Sequence, residues 1–144
     1  MPQPREFYEA ADEWLHFATG DLLAAELSSG FELHLEILCF HSQQCVEKSL
    51  KAVLVAMGQD FPRTHNISKL VECLIDAGVE APDYLLQSER LSRFAVMLRY
   101  PSSGLLPNKD EHLQSAQIAH KTLDWAKAKV EGLKLSDTAD GPTA

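Results

Sequence analysis

The sequence predicts an all-α fold: an up-and-down antiparallel four-helix bundle with one additional short helix. Apolar residues recur at steps of three and four along most of the 144 residues, and no segment alternates with period two for long enough to make a strand. Gly and Pro punctuation cuts this pattern into segments joined by short loops. Loops of that length favour antiparallel neighbours.

The first helix is carried by Tyr8, Ala11, Leu15, Ala18, Leu22 and Ala25, one apolar face, and ends at the "SSG" of Ser28 to Gly30. The second runs from about Phe31 to Met57, with Leu35, Cys39, Val46, Leu50, Val53 and Met57 as its apolar line and Gly58 as its stop. Pro62 makes "QDFPRTHN" a loop. Asn66 is placed to cap a short helix carrying Ile67, Leu70, Val71, Leu74 and Ile75, closed by Gly78. Pro82 suits the first turn of a fourth helix, whose buried line continues through Leu91, Ala95 and Leu98. After "YPSSGLLPN" a last helix spans about Lys109 to Leu133, with Ala116, Ala119, Leu123, Ala126 and Val130 on one face. Residues 1–135 are read as one helical domain, and the polar "SDTADGPTA" of residues 136–144 as a flexible tail.

Composition bounds the function classes. Hydrophobic content of 45% with 24% charged residues describes an ordinary globular chain, and a formal charge of -8 argues against the broadly basic footprint of a duplex-DNA binder. No apolar run approaches the roughly 20 residues of a membrane span, and the N-terminus lacks the basic start and apolar stretch of a signal peptide. Cys39, Cys45 and Cys73 form no C-x-x-C and read as reduced, buried thiols in a cytoplasmic protein.

The second helix poses the question of function. His41, Gln44, Lys48 and Lys51 fall at i, i+3, i+7 and i+10, one stripe, flanked by Gln43 and Glu47. Glu47 and Lys51 stand in the favourable i,i+4 orientation for an ion pair. A solvated face would need no more than this, but a His and two Gln suit a face that meets a ligand or another subunit. In the "PRTHN" loop, Arg63 and His65 precede a helix N-terminus, where a phosphate or carboxylate could be held. A plain loop with His65 bonded to backbone is the alternative. Arg99 sits at a helix C-terminus, where a cation suits the dipole in any case, and Tyr100-Pro101 makes a stiff corner after it. Phosphate-cradling glycine motifs, H-E-x-x-H and a nucleophile elbow do not occur. The pairs His112/His120 and His34/His41 do not have convincing metal-ligand spacing, so neither a metal nor a cofactor is expected.

Taken together, "FHSQQCVEKSLKAVLVAMG", "PRTHNISKLV" and "LSRFAVMLRYPSS", in this order, resemble the HEPN domain of prokaryotes. The flanking "EWLHFATGDLLAAELSSG" and "AQIAHKTLDWAKAKV" extend the likeness over about Glu13 to Val130. The resemblance implies a five-helix bundle, a homodimer, and pairing with a minimal nucleotidyltransferase in a toxin–antitoxin-type operon. It also implies nucleotide binding or, in many members, metal-independent RNA cleavage. The ribonuclease signature, Arg followed after four to six residues by His, is missing at Arg5, Arg63, Arg90, Arg93 and Arg99 alike. The reading is therefore a binding module for a nucleotide, RNA or a nucleotidyltransferase partner, with His41, Gln44, Lys48, Lys51, Arg63, His65, Arg99 and Tyr100 as candidate contacts and no catalytic residue assigned. The alternative is a divergent ribonuclease using Arg99 with His41 or His65.

Overall fold

The computed structural model describes residues 3–27, 34–98 and 105–140. Arg99 and Tyr100, and the "SSG" and "YPSS" turns, lie outside them. Six α-helices make up the described chain: α1 (Arg5–Ala25), α2 (Leu35–Ala56), α3 (Ile67–Asp76), α4 (Asp83–Gln87), α5 (Ser92–Met97) and α6 (Lys109–Asp140). A 3-10 segment, Ser88–Leu91, joins α4 to α5.

Helix ends follow local chemistry. The Asn66 side chain accepts from Ser68 N at 2.9 Å and starts α3 as its N-cap. At the ends of α2 and α3 the chain must turn left-handed, and Gly58 (φ 70°) and Gly78 (φ 91°) supply that conformation. Around each, the paired bonds of a Schellman turn form: Gly58 N to Val55 O and Gln59 N to Leu54 O, then Gly78 N to Ile75 O and Val79 N to Leu74 O. Pro82 stands one place earlier than expected, as the residue before α4.

α2 is the axis of the bundle. Fourteen of its 22 residues are buried, including Ser42, Gln43, Glu47, Ser49 and Lys51, so it has no solvated back. One side faces α1, whose Ala11, Leu15, Ala18, Leu22 and Ala25 form the expected buried stripe. Another side faces α6 through small residues: Cys39 reaches Ser115, and Cys45 lies 3.7 Å from the Ala119 carbonyl oxygen. Those pairings ascend together, so α2 and α6 run in the same direction. The pairings Trp14–Lys51 and Phe17–Lys48 make α1 antiparallel to α2. The α4–α5 segment returns the chain between α2 and α6, completing an up-down-up-down arrangement with α3 as the short extra helix.

Two expectations change. The fourth helix is not continuous: at the start of the 3-10 turn Ser88 Oγ donates to Leu85 O at 2.5 Å, a hydroxyl competing with the helical ladder, and just after the turn Ser92 Oγ accepts from Ile67 N at 2.9 Å and ties the segment to the start of α3. The tighter turn shifts the phase, so Phe94 and Met97 are buried, whereas Leu98, assigned to the core by the helical spacing, is 41% exposed. The stretch expected to be a tail continues α6 through residue 140. Asp137 anchors it, accepting from Gln3 N at 2.9 Å and from the Tyr8 hydroxyl. Polar composition suggested fraying, but one of those polar groups, Asp137, has partners on the N-terminal segment.

Candidate functional site

The polar residues of α2 form two carboxylate-centred clusters, each closed by a group from another element. In the first, Asp21 of α1 accepts from both sides: His41 Nδ1 lies 2.9 Å from its Oδ1 and Lys48 Nζ 2.7 Å from its Oδ2. His41 and Lys48 are seven residues apart, two helical turns, and the antiparallel α1 sets Asp21 between them. The side chains are 32%, 23% and 11% exposed for His41, Lys48 and Asp21. The cluster therefore lies at the edge of the α1–α2 seam, accessible without being solvated.

In the second, Glu47 is almost fully buried and takes three donors: Gln43 Nε2 at 3.0 Å, Lys51 Nζ at 3.0 Å and His65 Nδ1 at 2.8 Å. Gln43 also donates to the His65 backbone oxygen at 3.2 Å, and Gln44 Nε2 donates to Gln43 Oε1 at 2.7 Å. This chain of bonds ties the loop before α3 to the middle of α2. Lys51 is buried with its ammonium 5.4 Å from the Trp14 ring centre and 5.8 Å from that of Phe61, a cation held between aromatic faces. Lys48 similarly lies 5.9 Å from the Phe17 ring centre.

The candidates thus separate. His41 and Lys48 come together at the seam, while Gln44, between them on the same helix face, is bonded to Gln43 of the second cluster. Lys51 turns inward and serves the core, as its spacing from Glu47 allowed. His65 is half exposed but carboxylate-held. Arg63 is exposed on the same loop, among the described residues without an ion pair. The N-terminus of α3 is already satisfied, with Ile67 N given to Ser92 Oγ and Ser68 N to Asn66 Oδ1, so it does not offer the anion cradle that its position beside Arg63 and His65 suggested. Asp21, Trp14, Phe17 and Phe61 are the participants that sequence reasoning missed. The one available signal was the i, i+3, i+7 spacing of Trp14, Phe17 and Asp21, which mirrors the stripe on α2.

Elsewhere, a recess of about 660 Å³ between the end of α1 and α6 is lined by Glu26, His112, His120 and Lys121 among others. His112 Nε2 is 2.7 Å from Ala25 O, the last carbonyl of α1, and His120 Nδ1 is 3.4 Å from Glu26. Both imidazoles thereby tie α6 to the C-terminal end of α1. Among the described residues no group of three or more His, Cys, Asp or Glu is arranged to hold a metal ion, and no helix is long and apolar enough to cross a membrane.

The family model of the HEPN domain matches residues 11–130, most of the chain and both clusters. The chain belongs to the HEPN domain family. A crystal structure of an archaeal HEPN homologue superposes with a TM-score of 0.63 at 25% identity, over 83% of this chain and 97% of the other. A crystal structure of a Thermus thermophilus protein superposes with a TM-score of 0.59 at 24% identity, over 90% of this chain and 99% of that one, a likeness of fold. No curated protein matches. As a HEPN domain, the chain is built from α1 and α2 as a tightly paired unit on which the later helices pack; the Asp21 cluster lies on the seam of that pair and the Glu47 cluster where α2 meets the α2–α3 loop.

Proposed function

We propose that this HEPN domain is a homodimeric binding module that recognises a minimal nucleotidyltransferase, as one component of a toxin–antitoxin-type pair. The observation that carries the reading is the commitment of the His41, Lys48 and Lys51 side chains of the stripe to carboxylates. Asp21 takes both His41 and Lys48, and Glu47 takes Lys51. A free nucleotide polyphosphate calls for uncompensated cations. A seam whose charges are balanced internally, with Phe17 52% exposed beside it, suits the mixed polar and aromatic contact of a protein partner instead. Gln44, His41 and Lys48 supply the hydrogen bonds, with Arg63 on the neighbouring loop.

The test starts from the reading frames adjacent to that of this chain. A nucleotidyltransferase encoded there, coexpressed with the wild type, is expected to copurify and to lose at least about tenfold in affinity for a His41→Ala/Lys48→Ala variant of equal stability. Equal binding by both, or no binding by any neighbouring nucleotidyltransferase, refutes the proposal. Titration with ATP, GTP and short RNAs in parallel measures the nucleotide branch.

One feature favours a second reading, divergent RNA cleavage. His65 is half exposed, and its Nδ1 is held at 2.8 Å by a buried carboxylate, the arrangement that orients an imidazole for general acid–base work. That reading requires cleavage of RNA in the presence of a chelator, abolished by His65→Ala and by Arg99→Ala.

A further inference from the structure

On the outer face of α1, Ala10, Glu13, Trp14 and Phe17 line a groove of about 230 Å³. They fall at i, i+3, i+4 and i+7, a face beside the buried stripe. The volume lies below the range of about 300–1,000 Å³ that takes a drug-sized ligand or nucleotide, so it suits one inserted side chain. Its walls are two aromatic rings, and its one charged lining residue is acidic.

The charges around the groove identify that side chain. Glu9 is paired with Arg5 at 3.0 Å and Asp12 with Lys134 at 2.8 Å, but Glu13, exposed at the rim, makes no ion pair among the described residues. Behind the rings lie Lys48 and Lys51, each neutralised by its own carboxylate at 2.7 and 3.0 Å, so they add no net repulsion. The site thus offers aromatic faces, one unanswered carboxylate and the attraction of a chain carrying a formal charge of -8. A guanidinium meets all three demands: it stacks flat on an aromatic ring while its N–H fork reaches a carboxylate. We infer that this groove is the socket for an arginine side chain projecting from the partner protein. The inference rests on the partner reading above and specifies the chemistry of its contact.

The test uses a short acetylated, amidated peptide with one arginine among alanines, and Trp14 emission in a Trp125→Phe background, Trp125 being the other of the two tryptophans. Saturable change with the arginine peptide is expected, at least about tenfold weaker with citrulline in its place and weaker with lysine. Glu13→Gln and Phe17→Ala should each weaken the arginine response by about tenfold without moving the melting temperature. Equal responses to arginine and citrulline, or an unchanged affinity in Glu13→Gln, overturn the inference. So does a groove closed by a second copy, seen as a fall in mass on Phe17→Ala together with no arginine response. The two proposals fail separately. A nucleotidyltransferase that binds wild type and Glu13→Gln equally leaves the partner reading standing and removes the socket. An arginine response with no partner bound does the reverse.

Discussion

Glu47 Oε1 holds His65 Nδ1 at 2.8 Å across 18 positions of sequence, while its Oε2 holds Lys51 one helical turn along. A carboxylate inside a bundle is costly unless its lone pairs are satisfied, and this one is satisfied by three donors. The arrangement makes α2 and the loop before α3 one mechanical unit: whatever moves His65 and Arg63 must act against a bond anchored in the core.

Glu47→Ala should therefore destabilise the fold by about 3–5 kcal/mol, because it leaves the buried ammonium of Lys51 without a partner. Replacing both, as Glu47→Leu/Lys51→Met, should recover most of that loss, since a buried pair exchanged for apolar groups of similar volume is often neutral. Urea denaturation of Glu47→Leu, Lys51→Met and the double variant measures the coupling. Additive losses would show that the pair is not coupled.

Asp21 predicts a milder effect. Its two donors are a quarter to a third exposed, so Asp21→Ala should cost about 1–2 kcal/mol, and less in high salt. The diagnostic outcome is binding. With Asp21 removed, His41 and Lys48 are released from the seam, and affinity for anionic probes such as ATP should rise while affinity for a protein partner falls. Titration of both against wild type and variant checks it. Parallel changes in the two affinities would count against a charge-balanced docking face.

Local and distant chemistry were unequally legible. Gly58, Gly78 and Asn66 mark helix ends through bonds confined to their own turn, so a single sequence discloses them. At the α4–α5 break Ser92 meets Ile67 across 25 positions, a contact that composition does not reveal. The stripe of His41, Gln44, Lys48 and Lys51 followed from helical spacing alone. Spacing cannot say which member turns inward, because Lys51 is oriented by Trp14, Phe61 and Glu47 together. Asp21 was invisible for the same reason: its role exists only once α1 and α2 are paired.

Thiol reactivity gives a third prediction. Burial pushes Cys39 up to about 11 and Cys45 up to about 12, whereas Cys73 is only partly buried. At pH 8 the thiolate fraction of Cys39 is then about a thousandth or less, and that of Cys45 lower still. A disulfide-exchange reagent at that pH should titrate one thiol per chain promptly and three in denaturant. Two or more fast thiols in the native protein would contradict the packing of α2 against α6.

Assembly is tested by mass. The homodimer proposed for this HEPN domain should give twice the chain mass of 16.0 kDa by light scattering at tens of micromolar. A value at 16.0 kDa under those conditions rules the dimer out.

The latch between the chain's ends makes the last prediction, a pH profile with two limbs. Asp137 accepts from the Tyr8 hydroxyl and from Gln3 N, and these bonds, the Tyr8 contribution first, hold its carboxyl below its ordinary value of 3.8. Tyr8 moves the opposite way, pushed up from 10.0 to about 12 by burial and then by its bond to Asp137. A lowered carboxyl contributes stability that is complete above its unfolded value and is lost as pH falls through the folded one. A raised phenol contributes stability that is complete below 10.0 and is lost as pH rises towards 12. The latch should thus be intact from about pH 5 to 9 and weaken beyond both edges, releasing residues 136–140 of α6 before the rest of the bundle. Tyr8→Phe should cost about 1 kcal/mol in the plateau and remove the alkaline limb. Asp137→Asn should flatten the acid limb, leaving the phenol a neutral acceptor. Melting temperature against pH for the three proteins reads both limbs, and an alkaline limb that survives in Tyr8→Phe would assign it to a group other than Tyr8.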